Sequence, residues 1–543
     1  MKFTLVVLTA LVAASAVSAP PVLTDEELLD RVEAQSCRYA STFTYKTAAT
    51  AQFPDGRSMI ADSSTSGNVC SVAATGMGLV CLAIQAERYG TTSEWTVTPA
   101  QARSKANSIM DAVLDMQAGG TDQQWAGVPY HFVKPRTNGS WGVASGEVSS
   151  VDGALLVEGV LTAGRAFGGE LHTKALQIAR NIDWSKWLLN SSDGPRYSMA
   201  WSPTSGGDFT IPAPGGGFLM PWTYDRPTDE VLLLPIVGLA NDPRNADLLR
   251  SQYGYPRVTR SYRGSNGVTY RVVNSYFGSL FTYTQSHGMI PFDRLGPDHP
   301  EDVGSTKPAV NWWDNSVVAA LAARQYCADH AIGKTPADGY ATHASFGINS
   351  WGLTSCADPA GGYKGPLGGL PREANGGAPE PDGIIAPHGA ISCIRLLRMD
   401  THEMLADNWA FNALRHYYDT RYDTLWGTYG PKDAFNDAGQ VANVWIGIDT
   451  PLQAINIEDY RTGKPAQWFT MNAPIADALA VIYHTGLNPG DMNLDGASDV
   501  TDAADILKIA AGISVPTPHQ RYNGDLDGDG ALTITDAALV LKP

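Results

Sequence analysis

Cysteine is sparse in this 543-residue chain: six residues, none with CxxC spacing, which argues against zinc and redox centres. Cys37, Cys70, Cys81, Cys327, Cys356 and Cys393 allow three disulfides at most, too few to form the scaffold of a domain this large. Cys81, inside the apolar run GMGLVCLAIQ, suits a buried thiol as well as a bridge. Basic charge is also short. Lys and Arg number 38 against 55 Asp and Glu, a net charge of −17. That excludes the basic footprint of a nucleic-acid binder and suits a neutral polymer or sugar better than an anionic partner. No apolar run is long enough to span a bilayer. Strand-like alternation is scarce, VTYRVVNSYF being the best instance, and no fixed repeat period supports a solenoid.

The first nineteen residues have the three parts of an export signal. Lys2 is the basic region, Phe3 to Val12 the apolar core, and Val17-Ser18-Ala19 the small-residue cleavage site. The expectation is a signal peptide over 1–19 and a secreted, extracellular or periplasmic chain beginning near Pro20.

From about Asp25 to His484 the sequence reads as helices separated by long Gly/Pro/aromatic loops. Thr98-Pro99-Ala100-Gln101 combines a capping box with Pro at the first helical position. Ala102, Ala106, Ile109, Met110, Val113 and Met116 follow at helical spacing, and Gly119-Gly120 end the run. Residues 149–169 repeat that design, with Leu155, Leu156, Val160, Ala163 and Phe167 on the apolar side. Further runs cover 230–239, 316–328, 387–398, 402–418 and 474–484. Many apolar helices with little sheet predict a mainly α fold, helical hairpins closed into an (α/α) toroid. Two long Gly/Pro loops, 203–221 and 356–387, are bordered by aromatics that either fill the core or stack on sugar rings.

The last stretch holds two copies of one acidic loop, DMNLDGASDVTD and DLDGDGALTITD. Asp491, Asn493, Asp495 and Asp502 in the first, and Asp525, Asp527, Asp529 and Asp536 in the second, stand at loop positions 1, 3, 5 and 12. Gly496 and Gly530 occupy the sharp-turn position 6. Oxygen ligands at that spacing suit Ca²⁺. With a short apolar helix after each loop, the segment resembles a type I dockerin. That resemblance implies a small EF-hand-like calcium-binding module over 488–543 and a cohesin-bearing scaffold as partner.

Upstream, PYHFV (129–133), SSVDGALLVEGVLTAG (149–164), WTYDRPTDEVLLLPIVGLANDP (222–243) and LFTYTQSHGMIPFDR (280–294) are followed by WGLTSC (351–356) and DGIIAPHGAIS (382–392). LWGTYGPKDAFN (425–436) and GIDTPLQAINIEDYRTG (447–463) complete the series. In this order they resemble the glucoamylase-like family that includes glycoside hydrolase family 144, of endo-β-1,2-glucanase type. The resemblance implies an (α/α)₆ barrel over 20–487, a cleft at one end, and inverting hydrolysis of a β-glucan or its oligosaccharides.

Glycosidic hydrolysis needs one carboxyl group to protonate the leaving oxygen and another to activate water. Glu230, opening an apolar helix after an aromatic loop, is the expected acid and matches the family's acid position. Asp449 is the expected base, and Asp152, at the front of another apolar helix, a third candidate. His131, His287, Asp293, Trp222, Trp313, Trp351, Glu458 and Arg461 are candidate substrate contacts. Calcium is expected only in the terminal loops, with no cofactor for catalysis. Two other readings stay open: a carbohydrate-binding protein docked without turnover, and a lyase on the same barrel, ranked last because the motifs offer acids rather than clustered Arg and Lys.

Overall fold

The computed structural model describes residues 20–543 except 225, 374–380, 398–404, 485–489, 493–497, 515, 517–519, 521–522, 525, 527–530 and 543. The export segment and the candidate ligands Asn493, Asp495, Asp525, Asp527 and Asp529 therefore lie outside the described residues.

Local sequence accounts for the helix starts. Helix α1 (Asp25–Thr42) opens on a capping box between Thr24 and Glu27. Helix α2 (Val72–Arg88) is capped by Ser71, and α3 (Pro99–Ala118) has the expected box between Thr98 and Gln101. Ser149 caps α4 (Ser150–Phe167), and α5 (Gly169–Arg180) follows at once. Helices α6 (Asp229–Asn241), α7 (Ala246–Ser251), α8 (Phe292–Leu295) and α9 (Trp312–Asp329) come next. The second half adds α10 (Pro387–Ile391), α11 (Trp409–Leu425), α12 (Asp449–Thr462), α13 (Lys464–Thr470) and α14 (Ala473–Tyr483). The terminal segment contributes α15 (Val500–Ala510) and α16 (Ile534–Val540), which pack together. Of the run expected over 387–398, Pro387–Ile391 is helix and 392–397 are turns; of the run expected over 402–418, 405–407 form a 3-10 turn and regular helix begins at Trp409, the residues between 397 and 405 lying outside the described ones.

Packing closes the ring. Helix α2 lies against α4, α4 against α6, and α6 against the 3-10 turn Leu280–Tyr283. That turn touches α10, α10 touches α12, and α12 returns to α2. Six inner segments thus form a closed circle. Helices α1, α3, α5, α9 and α11 pack on them from outside. The inner helices are buried nearly all round: α2 and α4 each bury fourteen residues, as a helix does when both its faces meet protein. Two glycines let α2 and α4 touch backbone to backbone. A Cβ on Gly159 would overlap the carbonyl of Gly76, and one on Gly76 the carbonyl of Leu155.

The inner helices all present their N-termini to one rim. Short strands at that rim tie the loops together: Phe132–Pro135 pairs with both Cys70–Ser71 and Trp141–Ser145. Strand Ala200–Ser202 joins Val148–Ser149 to Phe218–Leu219. The opposite end is closed by α13, which leaves the C-terminus of α12. Beyond it, Asn472 Nδ2 donates to the carbonyl of Leu161, far along α4, at 3.3 Å. The strand expected in VTYRVVNSYF is Thr269–Val273, an outer hairpin with Thr259–Arg263. All six cysteines are buried thiols, none bridged. No described helix is long and apolar enough to cross a membrane.

Candidate active site

Asp449 is the first residue of α12, delivered to the rim by a loop sewn to the one before α2. Gly447 N donates to the carbonyl of Asp62 at 2.6 Å, and Ser64 N to that of Trp445 at 2.9 Å. The Asp449 carboxyl is buried beside His388, with Oδ1 3.5 Å from Nε2. The other ring nitrogen, Nδ1, lies 3.7 Å from Oδ1 of Asp433. Asp433 accepts a hydrogen bond from Ala357 N at 2.6 Å and bonds to the Asp449 carboxyl. Burial, then the charges of Asp433 and Asp62, hold Asp449 well above the usual carboxylate range. Burial lifts Asp433 to about 7 and drops His388 to about 3, so the imidazole is neutral at ordinary pH. The three side chains offer one donor atom each within 4.8 Å of one another.

Glu230 sits across the rim, in the first turn of α6, half-buried above a helix whose next residues are fully in the core. Tyr224, partly buried just before that helix, shares a 3.0 Å hydrogen bond with Ser150 at the head of α4. Burial raises the Tyr224 hydroxyl well above its ordinary range, and the nearby charges of Glu230 and Asp152 add to the effect. Tyr363 is 60% exposed, yet burial around its hydroxyl leads its rise above the ordinary range, followed by the charges of Asp449, Asp433, Cys356 and Glu230.

Asp152 heads α4 and lies 3.3 Å from Nε2 of His131, whose Nδ1 is 3.3 Å from Glu147. Burial opposes charge on His131, but Asp152, Glu147 and Asp62 outweigh it and hold the ring up at about 9. The rim thus carries an imidazolium among carboxylates on one side and a neutral imidazole between two acids on the other. Trp222 adds a 58% exposed indole.

The remaining candidates gather elsewhere. His287, Asp293 and Trp313 meet around Arg395. His287 stacks on Trp313, and Asp293 accepts from Arg395 at 2.8 Å while Arg395 reaches Asp459 at 2.7 Å. Asp459 lies ten positions after Asp449 on α12, about 15 Å along the axis, so this group belongs to the inner end of the barrel. Glu458 is fully buried there too, accepting from Arg88 at 2.8 Å, and Arg461 holds Glu33 at 2.7 Å and Asp30 at 3.2 Å. Trp351 is 0% exposed and its backbone bonds Tyr417. Glu458 and Trp351 are core groups without the open face a sugar needs, and the partly exposed Arg461 has its guanidinium held by two acids. Sequence reasoning quoted the segments containing His388 and Asp433 but assigned neither a role. Their signal was a His at the first turn of a helix and an acid inside an aromatic loop.

In the terminal segment the two loops share one pattern. Asp502 accepts from Met492 N at 2.7 Å and Asp499 N at 2.9 Å. Asp536 accepts from Leu526 N at 2.7 Å and Thr533 N at 2.8 Å. Each buried carboxylate closes its loop onto the following helix.

Residues 226–473 match the Glycoamylase family, described as "Putative glucoamylase". Over 461 residues the chain is 26% identical to an exo β-1,2-glucooligosaccharide sophorohydrolase (non-reducing end) of Parabacteroides distasonis, covering 81% of this chain. The chain spans 55% of that relative's length. Among solved structures, the β-1,2-glucanase of P. distasonis superposes with a TM-score of 0.59 at 18% identity, over 85% of this chain and 60% of the other. An endo-β-1,2-glucanase of Chitinophaga pinensis, in complex with sophorotriose and glucose, gives 0.59 at 18% over 85% and 98%. The chain is similar to this family from its sixth helix onward and shares the helical barrel of these structures.

Proposed function

We propose that this chain is a glycoside hydrolase that cleaves a β-1,2-linked glucan or its oligosaccharides by inverting acid/base catalysis. The observation that supports the reading is that Glu230 and Asp449 stand in the first turns of two inner helices of one ring. A barrel by itself does not fix a reaction. The relative named as a sophorohydrolase supports the substrate class.

In this mechanism Glu230 gives its proton to the glycosidic oxygen as the C1–O bond breaks. Asp449 takes a proton from the water that forms the new bond to C1 on the opposite face. His131, held as an imidazolium by Asp152 and Glu147, donates to sugar hydroxyls, and Trp222 offers a flat face for a ring. The chain acts outside the cytoplasm after losing residues 1–19. Its terminal module binds Ca²⁺ through the duplicated loops, with Asp491, Asp502 and Asp536 among the ligands, and docks to a cohesin-bearing scaffold.

The test is product chromatography after incubation with linear β-1,2-glucan, with β-1,3- and β-1,4-glucans alongside. Oligosaccharides from the β-1,2 chain alone are expected. Release from none of the three would remove the hydrolase reading for glucans. Unsaturated products absorbing in the near ultraviolet would replace it with a lyase.

A further inference from the structure

Asp449 does not face its cleft alone. Behind it stand a second carboxyl group and an imidazole, both as deeply buried: Asp433 is 4% and His388 4% exposed. His388 Nε2 points at Asp449 at a distance longer than a normal hydrogen bond, 3.5 Å, and Asp449 Oδ2 has no protein partner at all. Asp433 is anchored from the far side by the Ala357 amide. Two buried carboxyl groups with oxygens within 4.8 Å of one another, unscreened by water, need a proton or a cation between them.

The other charged and titratable groups facing the pair leave that requirement in place. Asp62, from the loop before α2, and Tyr363 and Cys356, from the segment after Trp351, are anionic or neutral. Asp358 and Asp382 lie beyond Cys356 and are acids. Arg88 on α2, Arg395 in the turns after α10 and Arg461 on α12 itself are engaged with Glu458, Asp459 and Glu33 at the other end of α12. No described lysine or arginine pairs with Asp433 or Asp449.

Resting on the acid/base reading above, we propose that Asp433 is a positioning residue that shares a single proton with Asp449. His388, as a neutral imidazole, keeps the two carboxyls in register. When the shared proton resides on Asp433, Asp449 is the anion that takes the proton of the attacking water. After the step the pair carries two protons, and it returns one to solvent before the next turnover. The pair, rather than Asp449 by itself, then sets the acid side of the pH profile.

The experiment compares kcat/KM against pH for the wild type and Asp433→Asn on β-1,2-glucan. The Asn keeps the shape and the Ala357 contact, cannot ionise, and offers Asp449 an amide donor. Because a neutral, donating Asn replaces a protonated Asp433, the acid limb is expected to stay within about half a pH unit of wild type while turnover stays measurable. A folded, active variant whose limb falls by about one unit or more overturns the proposal, since Asp433 would then have been a second anion raising Asp449. A second arm needs no activity: infrared spectra of the wild type and Asp449→Asn at neutral pH. A protonated-carboxyl carbonyl band present in the wild type and missing in the variant supports the shared proton, and identical spectra overturn it. One equivalent of divalent metal held by the wild type and lost in Asp433→Asn also overturns it, since the acids would then be ligands. If the wild type hydrolyses none of the glucans, the hydrolase reading fails and the infrared arm alone decides the shared proton.

Discussion

Arg88 Nε donates to the Glu458 carboxylate at 2.8 Å, joining α2 to α12 across 370 positions of sequence. Glu458 is fully buried, and Glu33, also fully buried, lies 3.8 Å from the same guanidinium. Burial, then the Glu458 charge, hold Glu33 well above the usual carboxylate range. Removing one member of a buried ion group leaves its partners uncompensated, at a cost of about 3–5 kcal/mol. Arg88→Met is expected to lower stability by that amount in denaturant titration. Glu458→Gln should lower it as well while leaving KM for glucan within about twofold of wild type. A large KM change with intact stability would put Glu458 back among the substrate contacts.

Glu230→Gln keeps the size of the side chain and removes the proton. Loss of a general acid costs about 10²–10⁴-fold, so hydrolysis should fall by that range while calorimetric binding of an oligosaccharide persists. Asp449→Asn should behave the same way. Unchanged rates would remove these residues from the mechanism.

Trp222 and Trp351 are expected to separate cleanly. Trp222→Ala, at a 58% exposed position, should leave the melting temperature nearly unmoved and weaken glucan binding by about 1 kcal/mol, several-fold in KM. Trp351→Ala opens a hole in the core and should cost about 3–5 kcal/mol. Thermal melts beside Michaelis plots check both.

The acid pair makes stability depend on pH in an uncommon direction. In the unfolded chain an Asp titrates near 3.9, whereas folding lifts Asp433 to about 7 and Asp449 well above the usual range. As pH rises through that window the unfolded chain has already released protons that the folded chain retains, so stability falls. Asp433→Asn should therefore melt close to the wild type at pH 4 and increasingly above it toward pH 8. His388, lowered to about 3, acts oppositely and removes stability as pH falls below about 6.5. A melting difference that does not grow with pH would contradict the buried pair.

Calcium is expected to order the terminal loops. Chelation should reduce the helical dichroism contributed by α15 and α16 and speed proteolysis beyond Gly490, and added Ca²⁺ should reverse both. No response to chelator or to added ion would leave the duplicated acids as turn-formers.

What the sequence revealed was local. The capping box at Thr98 and the apolar periodicity behind it involve neighbours in the chain, so they could be read directly. Glu230 was legible as a helix head, because an acid just inside an apolar run after an aromatic loop marks one, whereas no helical run was expected at α12 and Asp449 was read from its motif alone. The end of α12 that faces the mouth was not legible. Asp449 and Glu458 look alike until ring closure places one at the rim and the other in the interior. Trp222 and Trp351 likewise share a residue type and a loop border, and only packing tells a platform from a core ring. His388 and Asp433 meet through tertiary folding alone, and nothing in either segment announces the other.

Ring closure also constrains how the molecule is made. Helices α1 and α2 rest on α12, yet the Arg88–Glu458 contact spans 370 residues. At roughly 5–20 residues per second of synthesis, α2 waits about 20–70 seconds for the helix that covers it. Through that interval the nascent chain presents an uncovered apolar flank. Its biogenesis therefore depends on a holding chaperone or on delayed compaction, and truncations before residue 449 should aggregate rather than persist as partial barrels.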